Sequence, residues 1–245
     1  MHRFFIEKNA ISGDEVTITG PAARQICDVL RMEPGKEIVV LDGTGREYRV
    51  SLSEVSRRDV LGHVIDVQQC LSEPRTQITL FQAHTARGKF EHILQKCTET
   101  GVVRFVPVIT QRSIVRNCGK ITNEKFSRRY AIITEAAEQA GRGKIPKLEK
   151  VITLEESVQC LNEFDLSLVG SPADSAVSLK KILNNSESAP VNIALFIGPE
   201  GGFSESEMEF FLGNGAITFG LGRRILRTET AAVVASAIIL YELED

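Results

Sequence analysis

The pattern of hydrophobic and polar residues changes along the chain at about residue 70. Before that point, short apolar runs separated by Gly- and Asp-containing turns predict β-strands over residues 37–43, 46–55 and 59–67. One segment with helical spacing begins at Pro21, and proline is well tolerated in the first turn of a helix. The first part of the chain therefore predicts a small, mainly β domain.

From Gln77 onward, strand-like apolar runs alternate with amphipathic helical segments. This alternation predicts an α/β domain with a mainly parallel sheet. The polar, proline-containing stretch 71–77 is typical of a linker, so we set the domain bounds at 1–72 and 73–245. The predicted strands are 78–83, 102–109, 164–170, 192–198 and 216–222, and the predicted helices include 88–101, 123–140 and a C-terminal helix.

Two of these helices carry a specific expectation about burial. In the helix over 123–140 one face is predicted to hold Phe126, Tyr130, Ile133 and Ala137, with Arg128 and Arg129 largely off that face. The C-terminal helix carries no charge from Ala231 to Leu240, so it must be buried in its own domain or against another subunit.

Three predicted strands each end at a glycine: 164–170, 192–198 and 216–222. Ligands of open α/β sheets bind beyond the carboxyl ends of the strands, so the three turns predict one shared pocket. In the second turn, "GPEGG", several glycines surround Glu200, and glycine lets backbone N–H groups approach a ligand closely. Ser204 and Glu207 then form a capping box that starts the next helix.

The glycine turns do not match the phosphate-binding motifs. No lysine follows the glycines as a P-loop requires, and the dinucleotide fingerprint is absent, since "GTGREY" at 43–48 lacks its last glycine. The remaining candidate is a ligand that has no phosphate and is held by main-chain groups, such as a nucleoside. In the third turn, Arg223, Arg224 and Arg227 are candidates for binding a phosphate or a base edge, the alternative being a plain helix cap by Thr228 or Glu229.

Composition narrows the class of protein further. Of the 245 residues, 42% are hydrophobic and 25% charged, and no apolar run approaches the roughly 18 residues that suggest a membrane span. The N-terminus does not resemble a secretory signal, so we expect a cytoplasmic protein with no membrane partner. The 5 cysteines and 4 histidines are scattered without metal-ligand spacing, so we expect no metal.

The charges are segregated along the chain. Residues 87–147 hold 13 Lys/Arg and 5 Asp/Glu, whereas residues 148–245 hold 6 Lys/Arg and 15 Asp/Glu. A basic zone in an acidic protein indicates either an anionic partner such as a nucleic acid backbone or an ordinary solvated face. Residues 1–70 are not basic, with 9 Lys/Arg and 11 Asp/Glu.

Together, "IGPEGGFSESE" and "LGRRILRTETAA" resemble the signature of the SPOUT superfamily of methyltransferases. More narrowly, they are similar to the ribosomal RNA small subunit methyltransferase E family, which methylates N3 of one uridine in 16S rRNA. The segments "VLRMEPGKEIVVLDGTG", "KFEHILQKCTETGV" and "AAEQAGRGKIP" match the same family, so the resemblance covers nearly the whole chain.

The resemblance implies a PUA-like, RNA-binding β-barrel followed by an α/β methyltransferase domain with a C-terminal trefoil knot. It also implies a homodimer formed through the knotted domain, with S-adenosylmethionine bound in the knot. Carried over residue by residue, the implied cofactor-binding residues are Val169, Gly170, Ile197, Gly198, Glu200, Gly201, Gly202, Leu221, Gly222, Ile225, Leu226 and Arg227.

For catalysis, Arg227 and Arg142 are candidates for holding the target base or stabilising an emerging anion, and Glu200 or Glu229 for accepting the N3 proton. The partner is 16S rRNA or the small ribosomal subunit, contacted through the basic zone. The candidate RNA-binding residues are Arg112, Arg116, Arg128, Arg129, Arg142 and Lys144. Two alternatives remain open: a ribose 2′-O-methyltransferase of the same superfamily, and a non-catalytic RNA-binding protein of ribosome assembly.

Overall fold

The structure, a computed structural model, describes residues 1–86, 88–113, 122–172, 177–185 and 189–244. It divides into two compact units. The first comprises Met1–Glu73 and Ala137–Ile145, and the second comprises Pro74–Ala136 and Pro146–Asp245. Within the described part of the chain, no helix has the length and apolar character needed to cross a membrane.

The first unit is built on one mixed six-stranded sheet with the strand order β1-β4-β5-β6-β3-β2. Its strands are β1 (Arg3–Phe5), β2 (Ile11–Ser12), β3 (Glu15–Thr19), β4 (Glu37–Leu41), β5 (Arg46–Val55) and β6 (Asp59–Gln69). Among the described strands of this sheet, β1 and β4 pair in parallel, and all the other pairings are antiparallel. The register of β5 against β6 shifts twice, so this long hairpin bends.

A short helix, α1 (Gly20–Arg24), continues as a π-helical turn over Gln25–Val29 and packs on this sheet. Pro21 lies in its first turn, as predicted. The core consists of alternate residues of the strands together with the apolar face of the helix: Phe4, Val16, Ile18, Ala23, Ile26, Ile38, Val40, Val50, Leu52 and Val60.

Residues Ala137–Ile145 belong to the first unit although they are distant from it in sequence. The carboxylate of Glu73 accepts hydrogen bonds from Nη2 of Arg142 at 2.9 Å and from the backbone N–H of Gly143 and Lys144 at 2.9 and 3.1 Å. Sequence periodicity gives no signal for a contact across about seventy residues, and the predicted domain bounds did not include it.

The second unit contains a parallel sheet with the strand order β10-β8-β7-β13-β11-β14-β12, with β9 paired to β8. Its strands are β7 (Gln77–Ala83), β8 (Arg104–Ile109), β9 (Lys147–Leu148), β10 (Ile152–Thr153), β11 (Leu166–Gly170), β12 (Val177–Ser178), β13 (Asn192–Ile197) and β14 (Ile217–Gly220). Every pairing between the described strands of this sheet is parallel, as the alternation of strands and helices predicts.

The helices after α1 are α2 (Lys89–Thr100), α3 (Asn123–Gln139), α4 (Leu154–Gln159), α5 (Leu179–Asn184), α6 (Glu205–Gly213) and α7 (Thr228–Leu243). Helix α7 packs against α2 and α5. Its buried residues, including Ala232, Ala235 and Ile239, form one face, and the apolar residues Ala237 and Tyr241 are exposed. The helix is therefore buried in its own unit on one side only.

One prediction about α3 is wrong. Phe126 and Tyr130 were predicted on its buried face, yet both are exposed, and Arg129 is buried with Ile133 instead. Arg129 packs inward through a cation–π contact, with its guanidinium carbon 4.3 Å from the ring centroid of Phe90 in α2. Hydropathy assigns an arginine to solvent and cannot anticipate such a contact.

Candidate cofactor site

Three neighbouring strands of the second unit, β13, β11 and β14, end at one edge of the sheet, as the glycine turns predict. A cavity of about 330 Å³ lies at that edge, within the range of about 300–1,000 Å³ typical of small-molecule sites. Most predicted cofactor-binding residues line it: Gly170, Ile197, Gly198, Glu200, Gly202, Leu221, Gly222, Ile225, Leu226 and Arg227.

Two predicted cofactor-binding residues do not line this cavity. Val169 lies in the hydrophobic core of the unit, and its side chain is fully buried. Gly201 lies on the outer side of the turn, where its carbonyl oxygen accepts a hydrogen bond of 2.8 Å from Nη1 of Arg112. Any part that these two residues play in cofactor binding stays a prediction.

The turn "GPEGG" after β13 is held by its own backbone and by Arg112. The N–H of Gly202 donates to the carbonyl of Pro199 at 2.9 Å, and Gly202 has a φ of +67°, a conformation that favours glycine. A Cβ on Gly198 would lie 3.3 Å from the backbone of Gly202, so the turn requires a small residue there as well. The predicted capping box is confirmed, since Ser204 and Glu207 bond each other's backbone N–H groups at the start of α6.

A buried hydroxyl connects the second and third turns. Thr228 Oγ1 donates to the carbonyl of Gly198 at 2.6 Å and accepts from Nε2 of Gln82 at 3.1 Å. Thr228 was predicted as a possible helix cap; instead Arg227 occupies the N-cap position, without a side-chain capping bond. The role of Gln82 was not predicted, although a glutamine inside the apolar run "ITLFQA" is a signal for a buried polar contact.

Lys89, at the start of α2, joins two carboxylates at the cavity. Its Nζ lies 2.9 Å from Oε1 of Glu200 and 3.8 Å from Oε2 of Glu229. Burial raises the pKa of the Glu200 carboxyl, but the hydrogen bonds from Lys89 and from the backbone outweigh burial and lower that pKa overall. Glu200 is therefore held as a carboxylate. Lys89 itself lines the cavity and was not among the predicted site residues.

The predicted basic residues have different surroundings. Arg227 is exposed and lines the cavity, and Arg128 pairs with Glu91 at 2.8 Å. Lys144 is exposed, and its backbone N–H bonds to Glu73.

Arg142 lies in the first unit, where its side chain is buried and paired with Glu73. Its catalytic and RNA-binding roles therefore stay predictions. Arg116 lies outside the described residues. Among the residues that the structure does describe, no group of three or more His, Cys, Asp or Glu side chains is placed to hold a metal ion.

Known proteins with similar sequences and structures agree on the class of protein. The family model described as RNA methyltransferase domain matches residues 72–240, and the model described as RNA methyltransferase PUA domain matches residues 18–65. The ribosomal RNA small subunit methyltransferase E of Bacillus subtilis is 32% identical over 100% of this chain and 98% of its own. The chain therefore belongs to the ribosomal RNA small subunit methyltransferase E family. This confirms the family resemblance and the PUA-like first domain.

Two solved structures resemble the whole chain. A ribosomal RNA small subunit methyltransferase E of Neisseria gonorrhoeae bound to S-adenosylmethionine is 28% identical, with a TM-score of 0.86 over 98% of this chain and 96% of that one. A protein of Legionella pneumophila, in complex with the same cofactor, is 31% identical, with a TM-score of 0.86 over 97% of this chain and 96% of that one.

Proposed function

We propose that this protein transfers a methyl group from S-adenosylmethionine to N3 of one uridine in 16S rRNA. Membership of the family makes it an S-adenosylmethionine-dependent rRNA methyltransferase. That the methyl group goes to N3, and to a single uridine, is proposed from the family resemblance of the sequence motifs. The observation that carries the proposal is the cavity at the ends of β11, β13 and β14, which both signature motifs line.

The residues of the cavity fit S-adenosylmethionine. Gly198 and Gly202 line the cavity, and without side chains their main-chain groups can contact a nucleoside. Ile197, Leu226 and Ala231 supply apolar surface on the other sides. When bound, S-adenosylmethionine supplies an electrophilic methyl group on a sulfonium, and transfer of this methyl needs no metal.

For the acceptor, uracil N3 must lose its proton as the new N–C bond forms, so the chain must orient the base and receive a proton. Arg227 lines the cavity with an exposed guanidinium, which offers planar paired donors to the uracil carbonyl oxygens. Glu200 is the proposed proton acceptor. Its lowered pKa keeps it ionised, although it also makes the carboxylate a weaker base, so Glu229 on the other side of Lys89 is the second candidate.

We expect the RNA to contact the basic zone, through Arg112 and Arg128 in the second unit. Lys144 in the first unit and Arg116 stay predicted contacts. The PUA-like unit contributes to RNA binding through its shape rather than through its net charge. The target uridine has to be unstacked for its base to reach the pocket.

We further propose a homodimer formed through the knotted domain, and a cytoplasmic location, where ribosomal subunits are assembled. The dimer is supported by α7, which leaves the apolar residues Ala237 and Tyr241 exposed beside partly exposed Val234 and Ile238. The trefoil knot itself rests on the resemblance.

The test is methyl transfer from labelled S-adenosylmethionine to small ribosomal subunits that lack the modification, followed by nucleoside mass spectrometry. We expect 3-methyluridine. A methyl group on the ribose, which protects the RNA against alkali, would favour the 2′-O-methyltransferase. Cofactor binding without transfer to subunits or free rRNA would contradict the proposed substrate.

A further inference from the structure

Three buried polar side chains near the start of α2 have unpartnered atoms. His84 and Thr85 follow strand β7, and Arg129 comes from α3. Within the described part of the chain, Nδ1 of His84, Oγ1 of Thr85, and Nε and Nη1 of Arg129 are buried without a hydrogen-bond partner. The three residues are only 7%, 1% and 3% exposed. Buried polar groups are nearly always paired, so unpartnered atoms on three residues indicate a missing partner.

Phe90 brings this cluster together at the first turn of α2. The guanidinium carbon of Arg129 lies 4.3 Å from the Phe90 ring centroid, and the His84 imidazole is parallel to the same ring, with the centroids 6.1 Å apart. Helix α2 has 12 residues, and its N-cap is Gly88, which has no side chain to cap the first turn; the N–H of Lys89 donates to the carbonyl of Ala86 at 3.2 Å. The partial positive charge of a helix N-terminus therefore adds to the Arg129 charge.

The electrostatics of the cluster favour an anion. Burial lowers the pKa of Arg129, and burial together with the charges of Arg129 and Lys125 lowers the pKa of His84. Two carboxylates oppose these shifts: Glu91, which pairs with Arg128, raises the pKa of Arg129, and Glu200 raises the pKa of His84, but neither forms an ion pair with the cluster. A buried guanidinium with unpaired donors is costly, and an anionic acceptor would relieve that cost.

The place of the cluster indicates which anion it accepts. None of its three residues lines the cofactor cavity, whereas Lys89, next to Phe90, does. A cofactor that fills the cavity therefore does not use these donors. We propose that His84, Thr85, Arg129 and the first turn of α2 bind a phosphate group of the RNA strand beside the target nucleotide. This inference rests on the proposed function, because it takes RNA as the substrate.

Arg129→Met tests the phosphate subsite, because methionine fills similar space without a charge or a donor. Its readout is the affinity for unmodified small ribosomal subunits at several salt concentrations, with S-adenosylmethionine saturating. One lost phosphate contact should reduce the slope of log K against log salt by about 0.7–0.9. We expect at least about a tenfold loss of affinity at low salt. Cofactor affinity should not change, and the melting temperature should stay equal or rise, since an unpaired buried charge is removed.

Lys96→Met is the matched control. Lys96 lies on the same helix and pairs with Glu99 at 2.8 Å, so its removal changes the net charge equally without touching the cluster. We expect it to keep the wild-type affinity and salt slope. If Arg129→Met does not fold, Thr85→Val carries the test with the same readouts, since it removes Oγ1 at nearly constant volume.

A wild-type affinity and salt slope in Arg129→Met would overturn the phosphate subsite and leave Arg129 a structural role. The proposed function fails by a different result, namely wild-type protein that binds the subunits but does not methylate them. Binding and transfer are therefore measured on the same preparations.

Discussion

The hydroxyl of Thr228 donates a hydrogen bond of 2.6 Å to the carbonyl oxygen of Gly198, across thirty residues of chain. This hydrogen bond connects the turn after β13 with the start of α7. These two segments carry the two signature motifs. Because Gln82 donates to the same hydroxyl, a third strand end is coupled to the cavity. We therefore expect the shape of the cofactor site to depend on this one buried side chain.

Thr228→Val should weaken S-adenosylmethionine binding. The substitution keeps the volume but leaves the Gln82 donor without that acceptor and Gly198 without that donor, a cost of about 1–3 kcal/mol for buried groups. Calorimetric titration and thermal unfolding measure the two effects. Thr228→Ser, which retains the hydroxyl, should restore most of both. Equal cofactor affinities for Thr228→Val and wild type would show that this bond does not shape the site.

Lys89→Met should raise the pKa of the Glu200 carboxyl, because the ammonium that favours its charged form is lost. In the wild type the folded pKa is depressed. The stabilising contribution of this carboxylate is therefore present above its ordinary pKa and lost as the pH falls through the folded value. Carboxyl NMR titration of wild type and variant measures the difference. An unchanged Glu200 titration would mean that Lys89 does not control this carboxylate.

Two helices of the second unit, α4 and α6, begin with a capping box and provide a matched pair of variants. Ser204→Ala and Thr153→Ala each remove an N-cap hydroxyl and should each cost about 1 kcal/mol of unfolding free energy. Only Ser204→Ala should also reduce cofactor affinity, since Ser204 follows the "GPEGG" turn that lines the cavity. Denaturant unfolding and cofactor titration separate the two effects. Equal cofactor affinity in both variants would contradict the coupling.

Cys97 should resist thiol reagents in the folded protein. Burial raises the pKa of its thiol to about 12, so almost no reactive thiolate exists near neutral pH. Cys27 and Cys160 are partly exposed and should react before Cys97. Alkylation at pH 8 followed by peptide mass spectrometry measures the order in which the cysteines react. Modification of Cys97 as fast as Cys27 would indicate that the second unit opens readily.

Much of the fold follows from local sequence pattern, because long strands such as β5 and the glycine-ended strands β11 and β13 have clear bounds. Strands of two residues, such as β2 and β12, are too short for any periodicity to show. The cofactor residues are predictable because they lie in two continuous motifs. Two contacts could not be predicted from the sequence, because each joins residues that are distant along the chain. They are the ion pair of Lys89 with Glu200 and the contact of Arg129 with Phe90.

The central claim is that the cavity at the ends of β11, β13 and β14 binds S-adenosylmethionine. The most direct measurement is calorimetric titration of the cofactor into wild type, Ala231→Leu and Ala231→Ser. Ala231 lines the cavity on α7, where leucine is also a good helix former, so the larger side chain fills the site without breaking the helix. We expect wild type and Ala231→Ser to bind one cofactor per chain, and a folded Ala231→Leu to bind none. Wild-type affinity in Ala231→Leu would contradict the claim.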